Sequence, residues 1–214
     1  MRNKACTEQR EPRDEEIQDL LQEFKASHHE TFELTQNIFS MLVDPELYYQ
    51  DRVGADQVAY VNLIYSEWFL FDFKLEGGLS LIEEAAIDDP SIADYASSQF
   101  YSRFWVTKQD RRRGVITLRD MHTQDEFEVW DRKAACRRAW RKGTLGTRIA
   151  RVGDVWVTAG KTSLHDNAPS KPLPARLGAR DGFKRDPWLF LREAEAVIGH
   201  RGVFRETLSA LEAI

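Results

Sequence analysis

From Glu67 to Ala85 the chain reads EWFLFDFKLEGGLSLIEEA. Trp68, Phe69, Leu70, Phe71 and Phe73 fall within six positions, and Gly77-Gly78 follows. The run is far shorter than the roughly 18–20 apolar residues that span a bilayer, and it is too dense in aromatics for one face of a surface helix. Val58, Val61, Tyr65, Trp68, Phe69 and Asp72 recur three or four apart. This spacing predicts a helix from Ala55 to about Phe73, amphipathic at first and apolar almost all round in its last turn. A helix end of that character has to be enclosed on several sides. Gly77-Gly78 permits a sharp exit, and Ser80-Leu81-Ile82-Glu83 has the pattern of a capping box opening a short helix. Burial of apolar surface stabilises by about 25 cal/mol per Å2, so several buried aromatics make this segment a major source of stability. The expectation is a hydrophobic plug between helices and a sheet rather than a ligand pocket. Asp72, the one charge inside the run, then needs a partner. An Arg from the sheet or backbone donors at the start of the Ser80 helix would serve.

Upstream, Ile17, Leu20, Leu21 and Phe24 keep a helical period behind an acidic first turn. Ser27-His28-His29-Glu30 has the capping-box pattern ahead of a helix carrying Phe32, Ile38, Phe39 and Leu42, and Asp44-Pro45 and Asp89-Pro90 read as further helix starts. At about Tyr101 the period changes to short alternating bursts. Strands are predicted near 101–108, 114–120 and 125–131, followed by a hairpin around Gly153-Asp154 with Ile149, Val155 and Val157 facing inward. Between them, residues 131–143 read as a helix with Ala135, Cys136, Ala139 and Trp140 on one face and Lys133, Arg137, Arg138, Arg141 and Lys142 around the rest. Cys136 is expected to pack. Residues 162–185 read as a loop or linker, and Asp186-Pro187 opens a C-terminal helix, with FRETLSALEAI forming another.

These elements predict an α+β protein with an N-terminal helical layer (1–100), a small five-stranded barrel-like antiparallel sheet with an inserted basic helix (101–161), the linker, and a C-terminal helical pair (186–214). At 214 residues the chain is long enough for a sizeable core. The N-terminus, MRNKACTEQREPRDEE, lacks the apolar region of a secretory signal, and no apolar run approaches membrane-spanning length, so a cytoplasmic protein without a membrane partner is expected. Cys6 and Cys136 are the only cysteines, and no Cys-x-x-Cys or His-x-x-x-His spacing occurs, so neither a disulfide nor a dedicated metal site is expected. No nucleophile elbow, dinucleotide-binding fingerprint, phosphate loop or zinc-protease motif is present. The reading is a non-enzymatic binding protein with no cofactor.

The charge is uneven. Residues 1–100 hold 21 acidic and 7 basic side chains, whereas 101–151 hold 14 basic and 6 acidic. Two arrangements satisfy this: acidic helices dock on a basic sheet, or the basic segment faces a polyanion. The candidate nucleic-acid contacts are Arg111, Arg112, Arg113, Arg137, Arg138, Arg141, Lys142 and Arg148. Trp105, Trp130, Trp140 and Trp156 are interleaved among them and are candidates to stack on bases.

The order EWFLFDFKLEGGLSLIEE, SSQFYSRFWV, GVITLRDMHTQDEFEVWDR and RKGTLGTRIARVGDVWVTAG, over about residues 65–160, resembles a group of uncharacterised bacterial proteins. These carry an aromatic W-x-[LI]-F-D-[FY] segment, a strand series with L-x-D-x-x-[TS], and a glycine turn into an R-[IVL] strand. Some also carry the short zinc-binding cysteine tail found on the SecA translocase. No cysteine follows Cys136 to supply the ligands of such a tail, so no role that depends on it is expected from the resemblance. It implies the fold and no particular activity. The functional expectation is therefore binding to RNA or a nucleoprotein particle through the basic, Trp-containing face. The alternative is a protein–protein adaptor acting through the acidic N-terminal or apolar C-terminal helices.

Overall fold

A computed structural model describes residues 16–43, 55–166, 189–191 and 194. Helix α1 covers 16–27, α2 His29–Val43, α3 Ala55–Phe71, α4 Leu81–Asp88 and α5 Ala93–Ser98. Strands β1 (Phe100–Asp110), β2 (Val115–Asp120) and β3 (Glu126–Trp130) follow. Then come the short helix α6 (Arg132–Cys136), a 3-10 turn (Arg138–Arg141), β4 (Thr144–Val152) and β5 (Val155–Asp166). The helix starts expected at Asp44-Pro45 and Asp186-Pro187, and the terminal FRETLSALEAI helix, lie outside the described residues.

The five strands hydrogen-bond in a closed ring, β1-β2-β3-β5-β4 and back to β1. The expectation of an antiparallel sheet is corrected: β3 and β5 pair in parallel at Val129–Trp156 and Trp130–Val157. Parity requires this. Strand direction cannot alternate all the way round a ring with an odd number of members, so one pair has to run the same way. Register shifts in β1 between Val106 and Lys108, and between Thr147 and Arg148 where β4 meets β5, supply curvature.

Alternation along the strands divides the core in two. Phe100, Phe104, Ile116, Leu118, Val129, Leu145 and Ile149 form one cluster inside the ring, capped by Ala134, Ala135 and Trp140. Tyr101, Val115, Trp130, Ala150, Val157 and Ala159 belong to a second cluster, which the helices cover. Ile149 thus faces the ring interior as expected, whereas Val155 and Val157 face the helices.

The aromatic run is the centre of that second cluster. Trp68, Phe69, Leu70 and Phe71 are all buried. Phe69 contacts the rings of Phe24 (5.1 Å) in α1, Phe32 (5.3 Å) in α2 and Phe73 (5.6 Å). Trp68 meets Phe39 at 5.4 Å. The Tyr65 hydroxyl donates to the Phe32 carbonyl at 2.8 Å and shares a hydrogen bond with the Thr35 hydroxyl at 2.6 Å, which ties α2 to α3. Burial pushes this phenol well above its ordinary pKa, so it stays neutral. The chain then leaves through a turn in which Gly78 adopts φ +78°. The Ser80 capping box is present: the Glu83 carboxylate accepts from the Ser80 N–H at 2.7 Å and from its hydroxyl at 2.9 Å. Ser27 differs from expectation. Its hydroxyl donates back to the carbonyls of Glu23 and Phe24, so it closes α1 instead of capping α2.

Candidate nucleic-acid interface

The basic segment is folded onto one end of the ring by three local devices. Asp131 is buried, and its carboxylate caps α6 by accepting from the Ala134 N–H at 2.8 Å while its other oxygen accepts from the Thr158 hydroxyl at 2.8 Å. Gln109, near the end of β1, donates through its side-chain amide to the carbonyls of Ala134 (2.9 Å) and Arg137 (3.0 Å). The Asp131 N–H donates to the Gly114 carbonyl at 2.9 Å, which brings the β1–β2 turn against the start of α6. Arg111, Arg112 and Arg113 in that turn are thereby brought to the same end as Arg132–Lys142.

The long basic helix expected over 131–143 is divided. Helix α6 stops at Cys136, Arg137 is extended (φ −74°, ψ 110°), and the 3-10 turn follows. The break lets Trp140 turn inward, where it stacks on His165 (ring centroids 5.4 Å, interplanar angle 18°) and carries the Arg137 guanidinium at 4.6 Å. It also places Cys136 in solvent, which corrects the expectation that it packs, and exposes Ala139.

Arg111, Arg112, Arg132, Lys133, Arg138, Arg141 and Lys142 are exposed, and none pairs with a carboxylate among the described residues. Arg113 is exposed but paired with Glu128 at 3.2 Å, and Arg137 is half-buried over Trp140. The question whether acidic helices neutralise the sheet has a divided answer. Arg151 meets Asp94 of α5 at 2.9 Å and Arg148 is enclosed by helix carboxylates, but α3 and α5 pack on β5 and β4, whereas α6 packs on β2 and β1.

Arg148 is the clear correction among the candidate contacts. It is 1% exposed, because alternation along β4 turns it from the ring toward α3. Its Nε donates to Glu67 Oε1 at 3.3 Å, one terminal nitrogen to Asp72 Oδ2 at 2.6 Å, and the other to Gln99 Oε1 at 2.5 Å. The guanidinium lies over Phe71 at 4.6 Å and Phe190 at 5.4 Å. Of the two partners expected for Asp72, the sheet arginine is the one it meets. Glu67, 3% exposed, has a second set of partners: its Oε2 accepts from the backbone N–H groups of Lys161 (3.1 Å) and Thr162 (2.8 Å).

Those donors are free because β5 carries an insertion. Arg148 pairs with Ala159 and Thr147 with Ser163, so Gly160, Lys161 and Thr162 have no partner across the ladder. Gly160 sits at φ +72°, and a Cβ there would lie 2.4 Å from the Glu67 carboxyl carbon. Only glycine lets the carboxylate reach the bulge. Burial pushes the Glu67 and Asp72 carboxyls above the usual carboxylate range, and the Arg148 charge pulls them back only in part. Burial also opposes the arginine cation, but Asp72 and Glu67 outweigh it and hold it charged. The cluster is a polar bolt between α3 and the ring.

A cavity of about 120 Å3 adjoins it between α1, α3 and β5, lined by Gln18, Leu21, Ser66, Glu67, Leu70 and Lys161 among others. Among the described residues no group of three His, Cys, Asp or Glu side chains is placed to hold a metal ion, and no helix is long and apolar enough to cross a membrane. Comparison with protein-family models, curated proteins and solved structures gave no significant match.

Proposed function

We propose that the chain is a binding protein that contacts RNA or a nucleoprotein particle through the end of the ring built by the β1–β2 turn, α6 and the 3-10 turn. One observation carries this reading. Seven exposed cations from two separate stretches, Arg111–Arg112 and Arg132–Lys142, gather on one end without carboxylate partners among the described residues. Like charges held together repel one another, and a polyanion relieves that repulsion while releasing its own counterions. The test is binding of the intact chain to labelled RNA over a range of salt. Affinity should fall linearly with salt on logarithmic axes, and Arg138→Glu with Arg141→Glu should weaken binding by about a hundredfold at low salt. Salt-independent binding, or binding unmoved by the charge reversals, would refute the proposal.

A second reading has its own observation. On α2, Leu34, Ile38, Met41 and Leu42 are exposed at i, i+4, i+7 and i+8, an apolar stripe on an otherwise acidic helical layer. It supports a protein partner on the N-terminal helices. Ile38→Lys with Met41→Lys should abolish capture of such a partner and leave RNA affinity unchanged.

A further inference from the structure

We infer that the basic end recognises the phosphate backbone of base-paired nucleic acid and does not read or stack on bases. This rests on the proposal above that the basic end is a nucleic-acid surface, and it narrows the ligand. Single-strand binders combine cations with open aromatic faces, and here Trp130, Trp140 and Trp156 are engaged within the protein. Trp140 has Arg137 over one part of its ring system at 4.6 Å and His165 stacked on it at 5.4 Å, and the residue is 3% exposed. Trp130 is buried in the cluster beneath the helices. Trp156 is packed edge-on against Phe100 (6.0 Å, 85°) and Phe127 (5.1 Å, 78°). Trp140 thus packs beneath the basic end, and the cations form its surface.

The cations themselves suit phosphates. Five of the seven are arginines, Arg111, Arg112, Arg132, Arg138 and Arg141, whose planar donors match phosphate oxygens in pairs. The backbone of α6 and of the break that follows it is held by the Gln109 amide and the Asp131 cap, so these cations are carried on ordered backbone. A dense group of cations favours the partner with the densest phosphates. A duplex carries one charge per about 1.7 Å of axis, and each neutralised phosphate contributes a salt slope of about 0.9 on a duplex against about 0.7 on a single strand. Engagement of all seven cations gives slopes of about −6 and −5 respectively.

The experiment is fluorescence anisotropy of the full chain with labelled RNA duplex, DNA duplex and single-stranded RNA of equal length, each in two permuted sequences, across a salt series. Wild type is compared with Arg138→Gln/Arg141→Gln/Lys142→Gln and with Trp105→Leu, a half-buried tryptophan beside Thr144 in the β1–β4 ladder. The expected result is that duplexes bind about tenfold more tightly than the single strand. Sequence should change affinity by less than about twofold, the triple variant should flatten the duplex slope to about −4, and Trp105→Leu should change nothing. Tighter binding to the single strand, with loss in Trp105→Leu, would overturn the inference and leave the nucleic-acid surface standing. A strong sequence preference on the duplex would overturn it too. Absence of binding to all three probes at low salt would overturn the proposed surface itself.

Discussion

Replacing Arg148 by methionine keeps much of the side-chain volume and removes the one cation that serves Glu67 and Asp72. Both carboxyls would remain in place, Glu67 2% exposed and Asp72 18% exposed at the side chain, with no positive charge between them. Taking one partner from a buried ion pair costs about 3–5 kcal/mol, because the remaining charge is left uncompensated. For a chain of this size that is a Tm reduction of roughly 6–20 °C. The loss should depend on pH in a definite sense. The folded protein already holds the Glu67 and Asp72 protons above the usual carboxylate range. Their unfavourable contribution therefore grows as pH rises from the unfolded values through the folded ones, and it vanishes at pH low enough to protonate both states. Without Arg148 the folded values move further up, so the deficit of Arg148→Met should be small at acid pH, where both carboxyls are protonated, and should grow as pH rises. Thermal unfolding followed by circular dichroism at a series of pH values measures this directly. Adding Glu67→Gln and Asp72→Asn to Arg148→Met should recover most of the loss, since a neutral buried cluster carries no stranded charge. A Tm reduction below about 2 °C at pH 7, or a deficit equal at acid and neutral pH, would refute the account of this cluster.

Gly160→Ala should destabilise by about 3–5 kcal/mol in urea unfolding, since it combines a left-handed backbone penalty with a methyl driven against Glu67 and two orphaned N–H donors. Gly78→Ala, at a similar φ but with nothing within 4 Å of the new methyl, is the control and should cost about 1 kcal/mol. Asp131→Ala removes the α6 cap and the hydrogen bond that the buried Thr158 hydroxyl donates. It should cost about 2–4 kcal/mol by the same assay, and it should weaken RNA binding because α6 no longer holds Arg132 and Lys133 in place.

Much of the architecture was legible in the residues. The α3 helix and its apolar last turn follow from spacing, the Ser80–Glu83 cap from four adjacent positions, and the strand sequence from alternation. The need for an Asp72 partner follows from a charge set among aromatics. Each depends on residues close together in the chain, so local propensity and pattern are enough. The basic segment was legible as charge, but its shape was not: a continuous helix satisfies the periodicity of 131–143 as well as the broken one that forms. The broken form comes with contacts to distant residues: Trp140 stacks on His165, and the Gln109 amide donates to the Ala134 and Arg137 carbonyls.

What the tertiary structure alone decided involves distant partners. Arg148 looked like one more surface cation because its neighbours in sequence are basic. Its real neighbours, Glu67 and Asp72, lie 81 and 76 positions away. The Gly160–Thr162 insertion is invisible as a pattern, because a bulge is defined only against the strand it fails to pair with, and its freed donors reach Glu67 across 94 and 95 positions. The parallel β3–β5 pair likewise arises from ring closure and not from any residue in either strand. Side-chain type and period set which elements form. Which charge is buried, which tryptophan is covered and which cations stay in solvent depend on how those elements meet, and that is a property of the assembled chain.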